Sequence, residues 1–126
     1  MNILIVDDDQ TRHDMAEDLF TAAGHVVLHA FSCDEGKEIL QAGTVRIGLL
    51  MLDHDLGVDG SGEDVAKFIV NELDPSYYPA QAVSHSWGGK GAAIIRSWLT
   101  AAKIPTQEWP FDRDLVKYMI KKLVPQ

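Results

Sequence analysis

The sequence predicts an α/β domain built on a parallel sheet covered on both faces. Three observations carry that expectation. Short apolar runs alternate with stretches of helical periodicity along the whole chain. Two of those runs, Asn2-Ile3-Leu4-Ile5-Val6 and Ile47-Gly48-Leu49-Leu50-Met51-Leu52, are almost uninterrupted, as strands buried on both faces require. Both stop abruptly at carboxylates: Asp7-Asp8-Asp9 follows the first and Asp53-His54-Asp55 the second.

The elements follow in order. Residues 2–6 read as a strand, and 10–23 as a helix with Met15, Leu19, Phe20 and Ala23 on one face and Gly24 as its stop. His25 to Phe31 is rich in Val and reads as a second strand. Ser32 and Glu35 then give a capping-box pattern for a helix to about Ala42, closed by Gly43. Residues 45–52 form the third strand. A glycine-containing loop, Gly57 to Gly62, precedes helical spacing from Asp64 to Leu73. Ala80 to Ser84 reads as a fourth strand, and Ala92 to Ala102 as a helix with Trp98 on its apolar face. Ile104 to Trp109 reads as a fifth strand, and Asp112 to Leu123 as a terminal helix with Leu115, Val116, Met119, Ile120 and Leu123 on one face. The βα unit thus repeats five times, which describes a doubly wound domain with a five-stranded parallel sheet.

The 126 residues fit one domain spanning 1–126, with no output domain expected beside it. Hydrophobic residues make up 46%, enough for a core that needs no disulfide, and Cys33 is the single cysteine. The formal charge of −8 argues against DNA and other nonspecific nucleic-acid binding, which rests on basic side chains. No apolar stretch reaches membrane-spanning length and no signal peptide is visible, so the expected location is cytoplasmic.

In an open parallel sheet, ligands sit beyond the carboxyl ends of the strands. Asp7, Asp8 and Asp53 fall there, and so does His85-Ser86 after the fourth strand. Carboxylates held close raise each other's pKa unless a cation offsets them, and a hard divalent cation with oxygen ligands is the simplest partner. Near such a cation, His54 and His85 have the chemistry to shuttle protons. Ser86 suits either a phosphoryl contact or a helix cap. Gly88, Gly89 and Gly91 make a permissive turn around Lys90, and Lys90 and Arg12 are cations within reach of a phosphate. Trp109 is either a wall of the site or core.

Taken together, these residues resemble the receiver domain of bacterial response regulators over essentially the whole chain. Asp7 and Asp8 match its acidic pair, and Asp53 matches its acceptor aspartate. The resemblance implies strand order 2-1-3-4-5. It also implies Mg²⁺ (or Mn²⁺) held by Asp8, Asp53 and the backbone carbonyl of Asp55, with Asp7 nearby. Two positions depart from receivers. Ser84-His85-Ser86 covers the place of a Ser or Thr without saying which residue fills it. Trp109 stands where a Lys precedes the Pro. The run Leu52-Asp53-His54-Asp55-Leu56-Gly57, the pair His85-Ser86 before the glycine turn, and Arg12 are similar to a divergent branch, the cyclic-phosphate-processing receivers.

Three functions follow from the resemblance. The first is a metal-dependent phosphoesterase acting on cyclic or terminal phosphates of nucleotides or RNA. In that reading Asp53, His54, His85 and Ser86 carry the chemistry, and Arg12, Ser86, Gly89 and Lys90 contact phosphate. The second is a phosphorelay module whose Asp53 is phosphorylated by a histidine kinase. The third is a pseudo-receiver that binds a protein partner.

Overall fold

The computed structural model describes residues 1–57, 59–86 and 89–109, with Lys117, Tyr118 and Lys121. Five strands form one parallel sheet: β1 (Asn2–Val6), β2 (Val26–Ala30), β3 (Ile47–Asp53), β4 (Gln81–His85) and β5 (Thr106–Glu108). Their spatial order is β2-β1-β3-β4-β5, and every adjacent pair is parallel. The helices between them are α1 (Gln10–Ala22), α2 (Cys33–Ala42), α3 (Gly62–Asn71) and α4 (Lys90–Ala101). The expected terminal helix, Asp112 to Leu123, lies outside the described residues apart from the three named. Among the described residues no helix is long and apolar enough to cross a membrane.

Pleating divides the central strands between two cores. Leu4, Val6, Leu50 and Leu52 pack with Leu40 of α2, with Val65 and Ile69 of α3 and with Ile95 and Leu99 of α4. Ile3, Ile5, Leu49, Met51 and Val83 pack with Ala16 and Phe20 of α1 on the other face. Both faces of β1 and β3 are therefore dry, which is why their sequences are continuously apolar rather than alternating.

The helix starts are built by side chains. Asp9 caps α1, accepting from the amides of Thr11 and Arg12. Ser32 caps α2 through the Glu35 amide. Ser61 and Asp64 form a reciprocal capping box, so α3 begins at Gly62 and Asp64 sits within its first turn rather than opening it. A Cβ at Gly62 would lie 2.2 Å from the backbone oxygen of Asp53. Only glycine lets α3 approach the end of β3 so closely.

Candidate functional site

Strand parity gathers the site. Asp7 follows Ile5 on the α1 side of β1, Asp53 follows Met51 on β3, and His85 follows Val83 on β4. Asp53 and His85 are register partners. All three side chains therefore meet at the carboxyl edge of the sheet, and all are buried. The Nε2 atom of His85 lies 3.0 Å from Oδ2 of Asp7 and 3.7 Å from Oδ1 of Asp53. Arg12, in the first turn of α1, also reaches both carboxylates. Its Nη1 lies 3.1 Å from Oδ1 of Asp7 and 3.6 Å from Oδ2 of Asp53.

The two carboxylates differ electrostatically. Asp7 also accepts the Asp9 amide at 2.9 Å. Asp53 has its pKa pushed up to about 6, by burial first and by the neighbouring Asp7, against the opposing pull of His85 and Arg12. Burial disfavours the Arg12 cation, but Asp7 and Asp53 more than offset it and raise its pKa.

The same alternation settles the Ser84-His85-Ser86 segment. Ser84 is turned to the opposite face, where its hydroxyl donates to the Ala92 carbonyl at 2.9 Å. Ser86 lies beyond the strand, and its Oγ accepts the Ala92 amide at 3.0 Å, capping the first turn of α4. His85 is thus the residue beside Asp53. The remaining expected site residues are more dispersed. Asp8 and Asp55 are exposed. His54 is half-buried, with Nδ1 3.3 Å from a carboxylate oxygen of Asp55. Its ring packs on Gly91, where a Cβ would come within 2.3 Å of it. Gly89 is the left-handed residue before α4, and both it and Lys90 are exposed. Trp109 packs at the edge of the α1-side core, with its indole N–H donating to Gln107. Trp87 and Gly88 lie outside the described residues.

Two carboxylate oxygens and one imidazole nitrogen, from Asp7, Asp53 and His85, lie within 4.8 Å of one another. Carboxylates suit magnesium and manganese, and an added imidazole favours transition metals, so this donor set is compatible with a divalent cation. Arg12 already supplies one positive charge there. Sequence reasoning missed two neighbours of Asp7: Asp9, which both caps α1 and holds the Asp7 carboxylate, and His13, whose Nε2 lies 2.7 Å from the Asp7 carbonyl oxygen. The Asp9 signal was legible as an acidic residue just before a helix.

Comparison with known proteins agrees with this architecture. The family model for the cyclic-phosphate processing receiver domain matches residues 2–101. No curated protein matches the chain. A CheY-like receiver domain protein from Methanospirillum hungatei is similar in structure, with a TM-score of 0.70 and 22% identity, over 97% of this chain and 92% of that one. A two-component response regulator from Clostridium difficile has a TM-score of 0.71 at 18% identity, over 98% and 95%. A response regulator from Burkholderia pseudomallei, solved with a phosphorylated aspartic acid, calcium ion and citrate, has a TM-score of 0.68 at 16% identity, over 96% and 66%. Identities this low speak to the fold alone.

Proposed function

The chain belongs to the cyclic-phosphate-processing receiver domains, and from that premise we propose that its acidic cluster hydrolyses a cyclic or terminal phosphate ester of a nucleotide or RNA end. The observation that carries this reading is His85. An imidazole nitrogen lies 3.0 Å from Asp7 and 3.7 Å from Asp53, at the end of the strand where the receiver resemblance implies a Ser or Thr. Asp7 and Asp53 would hold a divalent cation, Mg²⁺ or Mn²⁺, which would supply charge to polarise a phosphoryl oxygen, leaving the His85 imidazole free for proton transfer. Asp8 and the Asp55 carbonyl lie close enough in sequence to join them once loops adjust.

The chain's own residues supply the rest. Arg12 offers a guanidinium whose planar fork suits phosphate oxygens. Ser86, Gly89 and Lys90 surround the start of α4, where a helix N-terminus favours anions. One imidazole, His85 or His54, takes a proton from the attacking water. The other returns a proton to the sugar oxygen that leaves phosphorus, so a cyclic diester becomes a monoester with the ring opened.

The test is turnover of 2′,3′-cyclic nucleotides and of RNA oligomers ending in a cyclic phosphate, with Mg²⁺ or Mn²⁺, followed by phosphorus NMR. Ring opening that disappears in His85→Ala and in Asp53→Asn is the expected result. No turnover across that panel with the wild-type protein would overturn the proposal.

A second reading rests on a different observation. Asp53 is a buried carboxylate at the end of β3, in a fold shared with a Burkholderia pseudomallei regulator that carries a phosphorylated aspartic acid. In that reading a histidine kinase phosphorylates Asp53, and the domain signals to a protein partner. Incubation with acetyl phosphate and Mg²⁺, read by intact mass, would then add one phosphoryl group that Asp53→Asn prevents.

A further inference from the structure

A second group of titratable side chains, which the proposed chemistry does not use, joins α1 to β2. His13 is buried, at 1% exposure, and its ring stacks on Phe31 with centroids 3.8 Å apart. Its Nε2 lies 2.7 Å from the backbone carbonyl oxygen of Asp7. Its Nδ1 lies 2.7 Å from Nδ1 of His29, and Nε2 of His29 lies 2.7 Å from Oε2 of Glu17. The pleat explains the meeting. His29 is the register partner of Ile5, and Ile5 faces α1.

Counting hydrogens gives the row a direction. A carbonyl and a carboxylate only accept, so the ring nitrogen at each end must carry a hydrogen. The inner contact needs a third, because two bare lone pairs at 2.7 Å repel. Two neutral imidazoles carry one hydrogen each. One ring is therefore an imidazolium. His29 is the suitable host, since it faces the Glu17 carboxylate. His13 is not: its ring is buried against Phe31 and meets only an uncharged carbonyl at Nε2.

We propose that Glu17, an imidazolium at His29 and a neutral His13 form one directed hydrogen-bond chain that fixes the backbone carbonyl of Asp7. His13 is then a positioning residue for the acidic cluster. Asp7 is held twice, through its carbonyl by His13 and through its carboxylate by the Asp9 amide. The chain ends at the surface, where Glu17 is half exposed. Its functional weight rests on Asp7 serving the site proposed above; its existence does not.

Nitrogen NMR of the histidine rings tests it, on the full chain with chelator present, near neutral pH. In wild type, His29 should carry hydrogens on both ring nitrogens and His13 on Nε2 alone. In Glu17→Gln the new amide donates to Nε2 of His29. That ring should then keep a hydrogen only on Nδ1, with His13 unchanged. The carbonyl-carbon shift of Asp7 should move in His13→Leu and return in His13→Gln, whose amide restores the donor. Two neutral rings in wild type, or a hydrogen on Nδ1 of His13, would overturn the chain. An Asp7 carbonyl that ignores His13→Leu would overturn its positioning role; if that variant fails to fold, the wild-type and Glu17→Gln spectra decide. These spectra need neither cation nor substrate. A failed turnover assay with an intact chain would condemn the enzymatic reading alone.

Discussion

Asp7 and Asp53 end neighbouring strands, and both are buried, yet their charges are met differently. Asp7 is surrounded by donors: the Asp9 amide, Arg12 at 3.1 Å and His85 at 3.0 Å. Asp53 faces the same two side chains at 3.6 and 3.7 Å, beyond good hydrogen-bonding distance. The Asp55 amide also reaches Asp53, yet burial outweighs these partners and its pKa is pushed up to about 6. In this pair Asp53 is the one that burial drives toward its protonated form.

The sharpest way to break the comparison is to neutralise each acid in turn. Asp7→Asn strips Arg12 and His85 of their main partner, so urea unfolding should show a loss of about 3–5 kcal/mol. Asp53→Asn should do the opposite in chelator at alkaline pH. A raised carboxyl pKa means the folded state holds its proton more firmly than the unfolded chain. The associated stability is present below the unfolded value of 3.8 and is lost as pH rises through about 6. The amide escapes that loss and should be more stable than wild type by up to about 3 kcal/mol. Equal losses in both variants would erase the distinction.

Gly62→Ala attacks Asp53 through its backbone. Its Cβ would meet the Asp53 carbonyl at 2.2 Å, and the overpacking should cost about 1–3 kcal/mol in the same unfolding measurement. Arg12→Ala removes the cation that already occupies the cluster. Calorimetric titration should find Mn²⁺ bound at least about tenfold tighter, a gain of about 1.4 kcal/mol. The smallest change is expected at Asp8, which is exposed one residue from buried Asp7. Asp8→Asn should alter stability by less than about 0.5 kcal/mol. A large loss of Mn²⁺ affinity in that variant would show that Asp8 turns inward when the cation arrives.

Much of this was legible in the chain. Continuous apolar runs announced β1 and β3 because both faces of each strand are covered, and strand order followed from the resemblance. The carboxylates were legible because acids directly after such runs fall at the carboxyl edge of the sheet, where ligands bind. The choice among Ser84, His85 and Ser86 was not. It depends on which residue shares pleat parity with Asp53, and a one-residue error in the strand boundary reverses the answer. The His13–His29 contact was hidden for a related reason. Each is an isolated histidine in sequence, and only the pairing of His29 with Ile5 brings it under α1. The α3 start was misplaced by two residues because Asp64 serves as the reciprocal partner of Ser61, where the usual pattern has Glu or Gln.

The two partners of Asp7 also stand at very different distances along the chain. Arg12 is five residues away and His85 seventy-eight. Closing the short loop costs less entropy than closing one that spans three helices and two strands. Asp7 thus draws one partner from its own neighbourhood in sequence and the other from a strand in the far half of the chain. Displacing α1 would remove the first and displacing β4 the second, so the burial of one carboxylate ties two distant parts of the sequence together.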